Sequence, residues 1–317
     1  MISRVCVIGG GVIGSLYAGH LADVAEVSVL TRRQDHADAL NREGLRITGR
    51  SDRHATVFAT TDADELPAFD LGIVATKADG LDDAATSLEG RFPDATVMTT
   101  LNGLGAEEVV RAHGDWQLVS AVTFMSGTKH SDTEVEYILD TATWMGPYED
   151  TPYARVEEIG ELVRSSGLEA ETFPDLRPAR WSKLIFNATV NAVAALTGLP
   201  HDAHFAREET PADLGHLVHD LIDEGKAVAA AAGVELYEDP WEMNVLATQR
   251  GHAHYPSMLE DVEAQRTTEI DLITGSLVRE AERHGVPVPL HTALYRLVKA
   301  KEESWHQPST TRQAQEA

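Results

Sequence analysis

Two stretches of the 317-residue chain carry residue types that can do chemistry together. The first is Gly9-x-Gly11-x-x-Gly14, directly after the apolar run 5–8 and directly before a helix-forming run at 15–21. Strand, glycine turn and helix form the context that a dinucleotide fingerprint requires. Gly9 permits the turn, Gly11 lets the backbone approach a pyrophosphate, and Gly14 lets the helix pack against the strand. Gly10, Val12 and Ile13 complete the loop, and the helix N-terminus faces the phosphates. The second stretch is Arg180-Trp-Ser-Lys183-Leu-Ile-Phe-Asn187-Ala-Thr-Val-Asn191. Lys183, Asn187 and Asn191 stand at i, i+4 and i+8, on one face of a helix. Their neighbours are mostly apolar, so the ammonium needs partners, and the two amides in line are the expected acceptors. A water-facing stripe in this acid-rich chain would carry Asp or Glu, so the stripe reads as facing a ligand.

Elements that would position these groups follow from the hydrophobic pattern. Segment 26–31 alternates as a second strand and ends in Thr31-Arg32-Arg33, where an NAD-type site would place a carboxylate. A guanidinium there suits a 2′-phosphate, so Arg32 points to NADP, with NADH possible because Arg33 and the loop beyond it can change the preference. Short strands are expected at 45–48 and 55–59. A buried strand at 71–76 ends in Lys77, a helix covers 82–88, and a strand at 95–101 ends in Asn102-Gly103-Leu104-Gly105. Lys77 and Asn102 both follow strand C-terminal ends, the edge that holds the ligand crevice of doubly wound sheets. Segments 117–124, 134–139 and 141–145 read as an antiparallel extension of the sheet, followed by a helix at 152–166 and a strand at 168–173.

Pro174-Asp-Leu-Arg-Pro178 marks a domain boundary. A Rossmann-type α/β domain is expected over 1–175 and an all-α domain over 176–305, with a disordered tail at 306–317. The helices are expected at 179–196, 214–232, 258–283 and 292–304. Ser257 fits a capping box with Glu260. Glu269 sits twelve residues further along the same expected helix, about 18 Å away, so one small substrate could not touch both.

Composition narrows the function. Net charge is −25, from 51 acidic and 26 basic residues, which argues against nucleic acid and anionic membrane as partners. Only six lysines occur, and carboxylate excess with few lysines suits concentrated salt, so a halophilic source is expected. One cysteine, Cys6, excludes a disulfide framework and fits a reducing cytoplasm. No leader is expected, and no apolar run approaches membrane length. The fourteen histidines form pairs at His201/His204, His216/His219 and His252/His254, but no third ligand at metal spacing, so they are expected on the surface and no metal is assigned. No Ser-His-Asp nucleophile elbow is present. An all-helical second domain also offers a surface for a homodimer.

From residue 5 to about residue 303 the chain resembles the ketopantoate reductases. The resemblance rests on Gly9–Gly14, Arg32, Thr76-Lys77, Leu101-Asn102-Gly103-Leu-Gly105, the Trp181/Lys183/Asn187/Asn191 spacing, Ser257-Met258 and Arg266-x-Thr268-Glu269-Ile270-Asp271. It implies a helical domain like the C-terminal part of 6-phosphogluconate dehydrogenase. It implies Lys183 as general acid, with Asn187, Asn191 and Ser257 binding substrate and Asn102 touching both nicotinamide ribose and substrate. Lys77, Ser126 and Glu269 fall at cofactor-associated positions. The implied reaction is NADPH-dependent reduction of 2-dehydropantoate to pantoate, a precursor of coenzyme A. His201 stands where the family often has a further substrate-binding asparagine, which keeps another 2-oxo acid or an imine open as substrate. A nonenzymatic NADP-binding regulator would need the glycine loop and Arg32 but not the Lys183 stripe.

Overall fold

The computed structural model describes residues 2–209, 212–249 and 255–305. The expected tail at 306–317 and the His252/His254 pair lie outside them. Two units emerge: residues 1–101 with 105–176, and Asn102–Leu104 with 177–317.

The first unit is α/β. Its strands are β1 (Arg4–Ile8), β2 (Glu26–Leu30), β3 (Leu45–Gly49), β4 (Arg53–Ala55), β5 (Phe58–Thr60), β6 (Leu71–Val74), β7 (Thr96–Thr99), β8 (Gln117–Thr123), β9 (Ser126–Lys129), β10 (Glu134–Leu139), β11 (Thr143–Pro147) and β12 (Ala170–Thr172). Its helices are α1 (Val12–Leu21), α2 (Gln34–Glu43), α3 (Leu81–Leu88), α4 (Ala106–His113) and α5 (Tyr153–Ser165). Eight strands form one sheet in the order β12-β11-β8-β7-β6-β1-β2-β5. The pairs from β5 through β8 are all parallel, and β11 is antiparallel to β8. All four residues of β6 and of β7 are buried, as are the last four of β1; β1 and β6 accordingly read as unbroken apolar runs. Strand order reverses at β1, between β2 and β6, and this switch point puts the loop after β1 and the end of β6 side by side.

Two expectations about this unit are corrected. Segment 134–139 does not extend the main sheet: β10 lies in a second, four-stranded sheet, β4-β3-β10-β9, while only β11 and β12 extend the first. Segment 55–59 is not one strand. β4 pairs with β3 and β5 with β2, so the chain changes sheets at Pro-free residues 56–57. Alternation specifies a strand's two faces but not its partner.

The second unit is helical: α6 (Arg177–Thr197), α7 (Asp213–Ala231), α8 (Pro240–Thr248), α9 (Ser257–Glu263), α10 (Thr274–His284) and α11 (Pro289–Ser304). α6, about 31 Å long, is the axis, and the other five all pack on it. Fifteen of its 21 residues are buried, including Ala188, Ala192, Ala194 and Ala195, whose small side chains admit close neighbours. The helix expected over 258–283 is two helices. At the break Gln265 has φ +51°, and Glu302 of α11 accepts from both the Thr268 amide (2.8 Å) and the Thr268 hydroxyl (2.7 Å). These bonds give the backbone a partner outside a helix. Ser257 and Glu269 are therefore not separated by a straight helical rod. Among the described residues no helix is long and apolar enough to cross a membrane.

Candidate functional site

The glycine loop is built as a cradle with one open side. Gly9 has φ +109°, and a Cβ there would lie 2.9 Å from the Ala75 carbonyl oxygen. A Cβ on Gly14 would overlap the Gly9 carbonyl oxygen, so α1 sits against the turn too closely for any side chain. A Cβ on Gly11 would meet nothing within 4 Å. Gly9 and Gly14 are thus required by the protein itself, whereas Gly11 faces open space at the N-terminus of α1. Gly11 has no side chain with which to cap that helix, which leaves the amides of Val12, Ile13 and Gly14 available to an anion. The residues fit a dinucleotide pyrophosphate.

Around this loop the structure places Arg32 just past β2, exposed, and Lys77 just past β6, also exposed. A Cβ on Gly80 would sit 3.7 Å from both Arg32 Nη1 and Thr76 Cβ, so Arg32 reaches across to the end of β6. Ser126 opens β9, and the next residue, Gly127, passes close to the Val12 side chain at the start of α1. Two neighbours escape sequence reading. Lys129 donates to the Gly10 carbonyl oxygen at 2.9 Å, and the His36 ring fills the space that a Gly10 side chain would need. Burial, reinforced by the Lys129 ammonium, holds the His36 pKa below its ordinary value. The rarity of lysine in this chain is a sequence signal that could have drawn attention to Lys129.

In the second unit Lys183, Asn187 and Glu269 converge on Asn102. Lys183 Nζ donates to Asn102 Oδ1 at 2.8 Å, and Asn187 Nδ2 reaches the same oxygen at 3.5 Å. The Asn102 amide in turn donates to Glu269 Oε2 at 3.0 Å. Lys183 and Asn187 do share a helix face, and the ammonium finds an acceptor from outside α6, Asn102. Asn191 is buried further along the helix. Ser257 is exposed at the start of α9, and neither residue hydrogen-bonds to this cluster among the described residues. Ser257 is not an N-cap: Pro256 holds that position and no side chain caps α9.

The turn that carries Asn102 is rigid. Gly103 has φ +90°, and a Cβ there would overlap the Leu272 carbonyl oxygen. The Leu104 amide donates to that oxygen at 3.0 Å, and Arg180 Nε donates to the Gly103 carbonyl at 2.9 Å. Lys183 is only 4% exposed. Burial pushes its pKa down to about 7; the Glu269 charge pulls it up and the Arg180 charge presses it down. A lysine balanced near neutrality can both stabilise an oxyanion and give up a proton.

His201 is not a surface residue. It is 1% exposed, bonds Asn244 Oδ1 at 2.8 Å, and stands edge-on to Phe186 and Phe205. Its aromatic seats come from residues on either side of it in sequence, which spacing alone does not reveal.

Residues 5–150 match the family model for ketopantoate reductase PanE/ApbA, and residues 175–302 match the model for the C-terminal part of the same family. The chain belongs to the ketopantoate reductase family. It is 30% identical over 301 residues to the 2-dehydropantoate 2-reductase of Pyrococcus horikoshii, covering 94% of this chain and 97% of that one. The enzyme of the same name from Halobacterium salinarum is 28% identical over 300 residues, 93% and 98% of the two chains. Among solved structures, the 2-dehydropantoate 2-reductase of Methylococcus capsulatus superposes with a TM-score of 0.83 at 26% identity, covering 98% of this chain and all of that one. A D-mandelate dehydrogenase solved with NADH and anilino(oxo)acetate has the same fold, with a TM-score of 0.85 at 23% identity over 95% and 99% of the chains. The family is one of NAD(P)-dependent oxidoreductases, and membership in it does not fix the oxo acid.

Proposed function

We propose that the chain reduces the 2-oxo group of 2-dehydropantoate to give pantoate, with NADPH as the reductant. The observation that carries this reading is the Lys183–Asn102–Glu269 array, in which a buried ammonium near neutral pKa is aimed by an amide that a carboxylate holds in place. When bound, the nucleotide supplies a hydride to C2 of the oxo acid. Gly9 to Gly14 hold its phosphates, Arg32 takes the 2′-phosphate, and Lys77 and Ser126 flank it. As charge grows on the carbonyl oxygen, the Lys183 ammonium stabilises it and then donates its proton there. Asn187, Asn191 and Ser257 bind the carboxylate and the distal hydroxyl, and Asn102 orients Lys183 and touches both partners. Glu269 holds Asn102 and keeps Lys183 protonated enough to act. The single buried thiol, Cys6, suits a cytoplasmic setting.

A second reading keeps the chemistry and changes the acid. His201, seated on Phe186 next to Asn187, stands where the family often has an amide, and a D-mandelate dehydrogenase of the same fold was solved with NADH and anilino(oxo)acetate. The test is loss of nicotinamide absorbance in concentrated potassium chloride, with 2-dehydropantoate or an aryl 2-oxo acid, and with NADPH and NADH in parallel. Turnover of 2-dehydropantoate with NADPH supports the first reading. Turnover of the aryl acid alone supports the second. Nucleotide binding without turnover of any oxo acid would leave a nonenzymatic regulator.

A further inference from the structure

We propose that Asp132 sets the preference between the two nicotinamide nucleotides, by holding Arg33 away from the nucleotide so that a 2′-phosphate meets Arg32 alone. The inference rests on the NADPH reading above. β2 runs into two adjacent guanidiniums, and the structure gives them opposite surroundings. Arg32 makes no hydrogen bond or ion pair among the described residues, and it extends toward the end of β6 beside the glycine loop. Arg33 is held by carboxylates. One terminal nitrogen donates to both Asp132 oxygens at 2.6 Å, and the other donates to Asp35 at 2.8 Å.

Asp132 comes from the turn between β9 and β10, far from Arg33 in sequence, and that turn is itself anchored to the loop. Lys129 pairs with Asp132 at 3.2 Å and donates to the Gly10 carbonyl oxygen at 2.9 Å. The chain of contacts therefore runs from the phosphate loop through Lys129 and Asp132 to Arg33. An anion so placed acts twice in one direction. It withdraws a guanidinium that could contact a 2′-phosphate, and it repels the phosphate itself. NADH lacks that phosphate and is indifferent to both effects. Asp132 is thereby a specificity-determining residue that limits, rather than supplies, the preference for the phosphorylated nucleotide.

The experiment is a fluorescence titration of the full chain with NADPH and with NADH at one fixed potassium chloride concentration. The proteins are wild type, Arg32→Met, Arg33→Met, Asp132→Asn and the double variant Asp132→Asn/Arg33→Met. The wild-type preference and its loss in Arg32→Met test the cofactor reading. Asp132→Asn is expected to raise the NADPH-to-NADH affinity ratio about tenfold, the scale of one added charge-assisted phosphate contact in screened solvent. The double variant is expected to lose most of that gain, keeping only the part that comes from removing the Asp132 charge. Arg33→Met alone is expected to hold the ratio within about twofold of wild type, because Arg33 is already engaged. An unchanged ratio in Asp132→Asn overturns the inference. So does a fall in Arg33→Met comparable to that in Arg32→Met, and this second comparison decides the matter if Asp132→Asn does not fold. A wild type that prefers NADH and ignores Arg32→Met would overturn the NADPH reading instead, while the Asp132→Asn ratio would still judge the role of Asp132.

Discussion

If Lys183 is the acid, the pH dependence of reduction carries its signature, and Glu269 controls where that signature falls. The protonated lysine is the active form in reduction, so kcat/KM is flat below its pKa and falls tenfold per pH unit above it. Burial places that limb near pH 7 rather than near the ordinary lysine value of 10.5. Glu269 opposes the shift from beyond the Asn102 amide, to which it is bonded at 3.0 Å while Lys183 bonds the amide's other end at 2.8 Å. Two unit charges roughly 7 Å apart interact by about 2.4 kcal/mol at an effective dielectric near 20, which corresponds to about 1.7 pH units. Replacing Glu269 with Gln removes the charge and keeps an amide oxygen for Asn102. The limb is expected to move down by about 1 to 2 units, so the variant loses most of its kcat/KM at neutral pH and recovers it toward pH 5.5. The assay is initial-rate reduction of 2-dehydropantoate by NADPH from pH 5 to 9. A limb that stays in place or moves upward in Glu269→Gln would refute the electrostatic role of Glu269. Absence of any falling limb between pH 6 and 9 in the wild type would remove Lys183 as the acid.

Three further outcomes are expected. Lys183→Met should lower kcat by roughly 10²- to 10⁴-fold with nucleotide binding retained. Because the lysine's pKa is depressed on folding, its burial costs stability in full below about pH 7 and less as pH rises toward 10.5, so the variant should melt higher than wild type at pH 6 and the gap should close by pH 10. Gly11→Ala should leave the melting temperature unchanged, since its backbone at φ −78°, ψ −170° accepts a side chain that meets no protein atom, yet weaken nucleotide binding at least about tenfold by standing where the pyrophosphate approaches; Gly14→Ala should instead lower stability by several kcal/mol, as calorimetry of the two variants would show. With net charge −25, the wild type should unfold at a distinctly lower temperature in ~0.05 M than in ~2 M potassium chloride, and salt-independent melting would end the halophilic reading.

The parts of the fold that were legible in the sequence are those where local pattern and tertiary burial agree. β1 and β6 are buried on both faces and show it as short apolar runs, and α6 is apolar at most positions outside its Lys183/Asn187/Asn191 stripe because five helices cover it. α2, α4 and α8 went unread. They are short, and each buries only three residues, one of them polar (His36, Glu107 and Asn244), so few apolar positions mark them. The second sheet was invisible because β3 and β10 are far apart in the chain and strand patterning says nothing about partners. The break between α9 and α10 depends on a carboxylate in α11 reaching Thr268, a contact no window around residue 268 contains. In the candidate site, spacing located Lys183 and Asn187 on one face, but their common target, Asn102, lies 81 residues earlier than Lys183.

Arg32 and Arg33 show what the sequence leaves open and how the charge balance resolves it. As adjacent guanidiniums they are equivalent candidates for a phosphate. In a chain with 51 carboxylates, however, an exposed arginine left to itself is readily claimed by an acid, as Arg4, Arg33, Arg42 and Arg283 are. Each such pair is individually weak, but it removes the cation from competition for a ligand. A guanidinium held clear of every carboxylate beside an open phosphate cradle is therefore informative in proportion to the excess of acid around it. The same reasoning applies to Lys183, whose burial would be costly if it were only structural: a Met or Leu would fill the space on α6 without desolvating a charge. What the lysine brings that an apolar residue cannot is a proton held near neutral pKa beside Asn102, which is what the proposed reduction of a carbonyl would draw from this position.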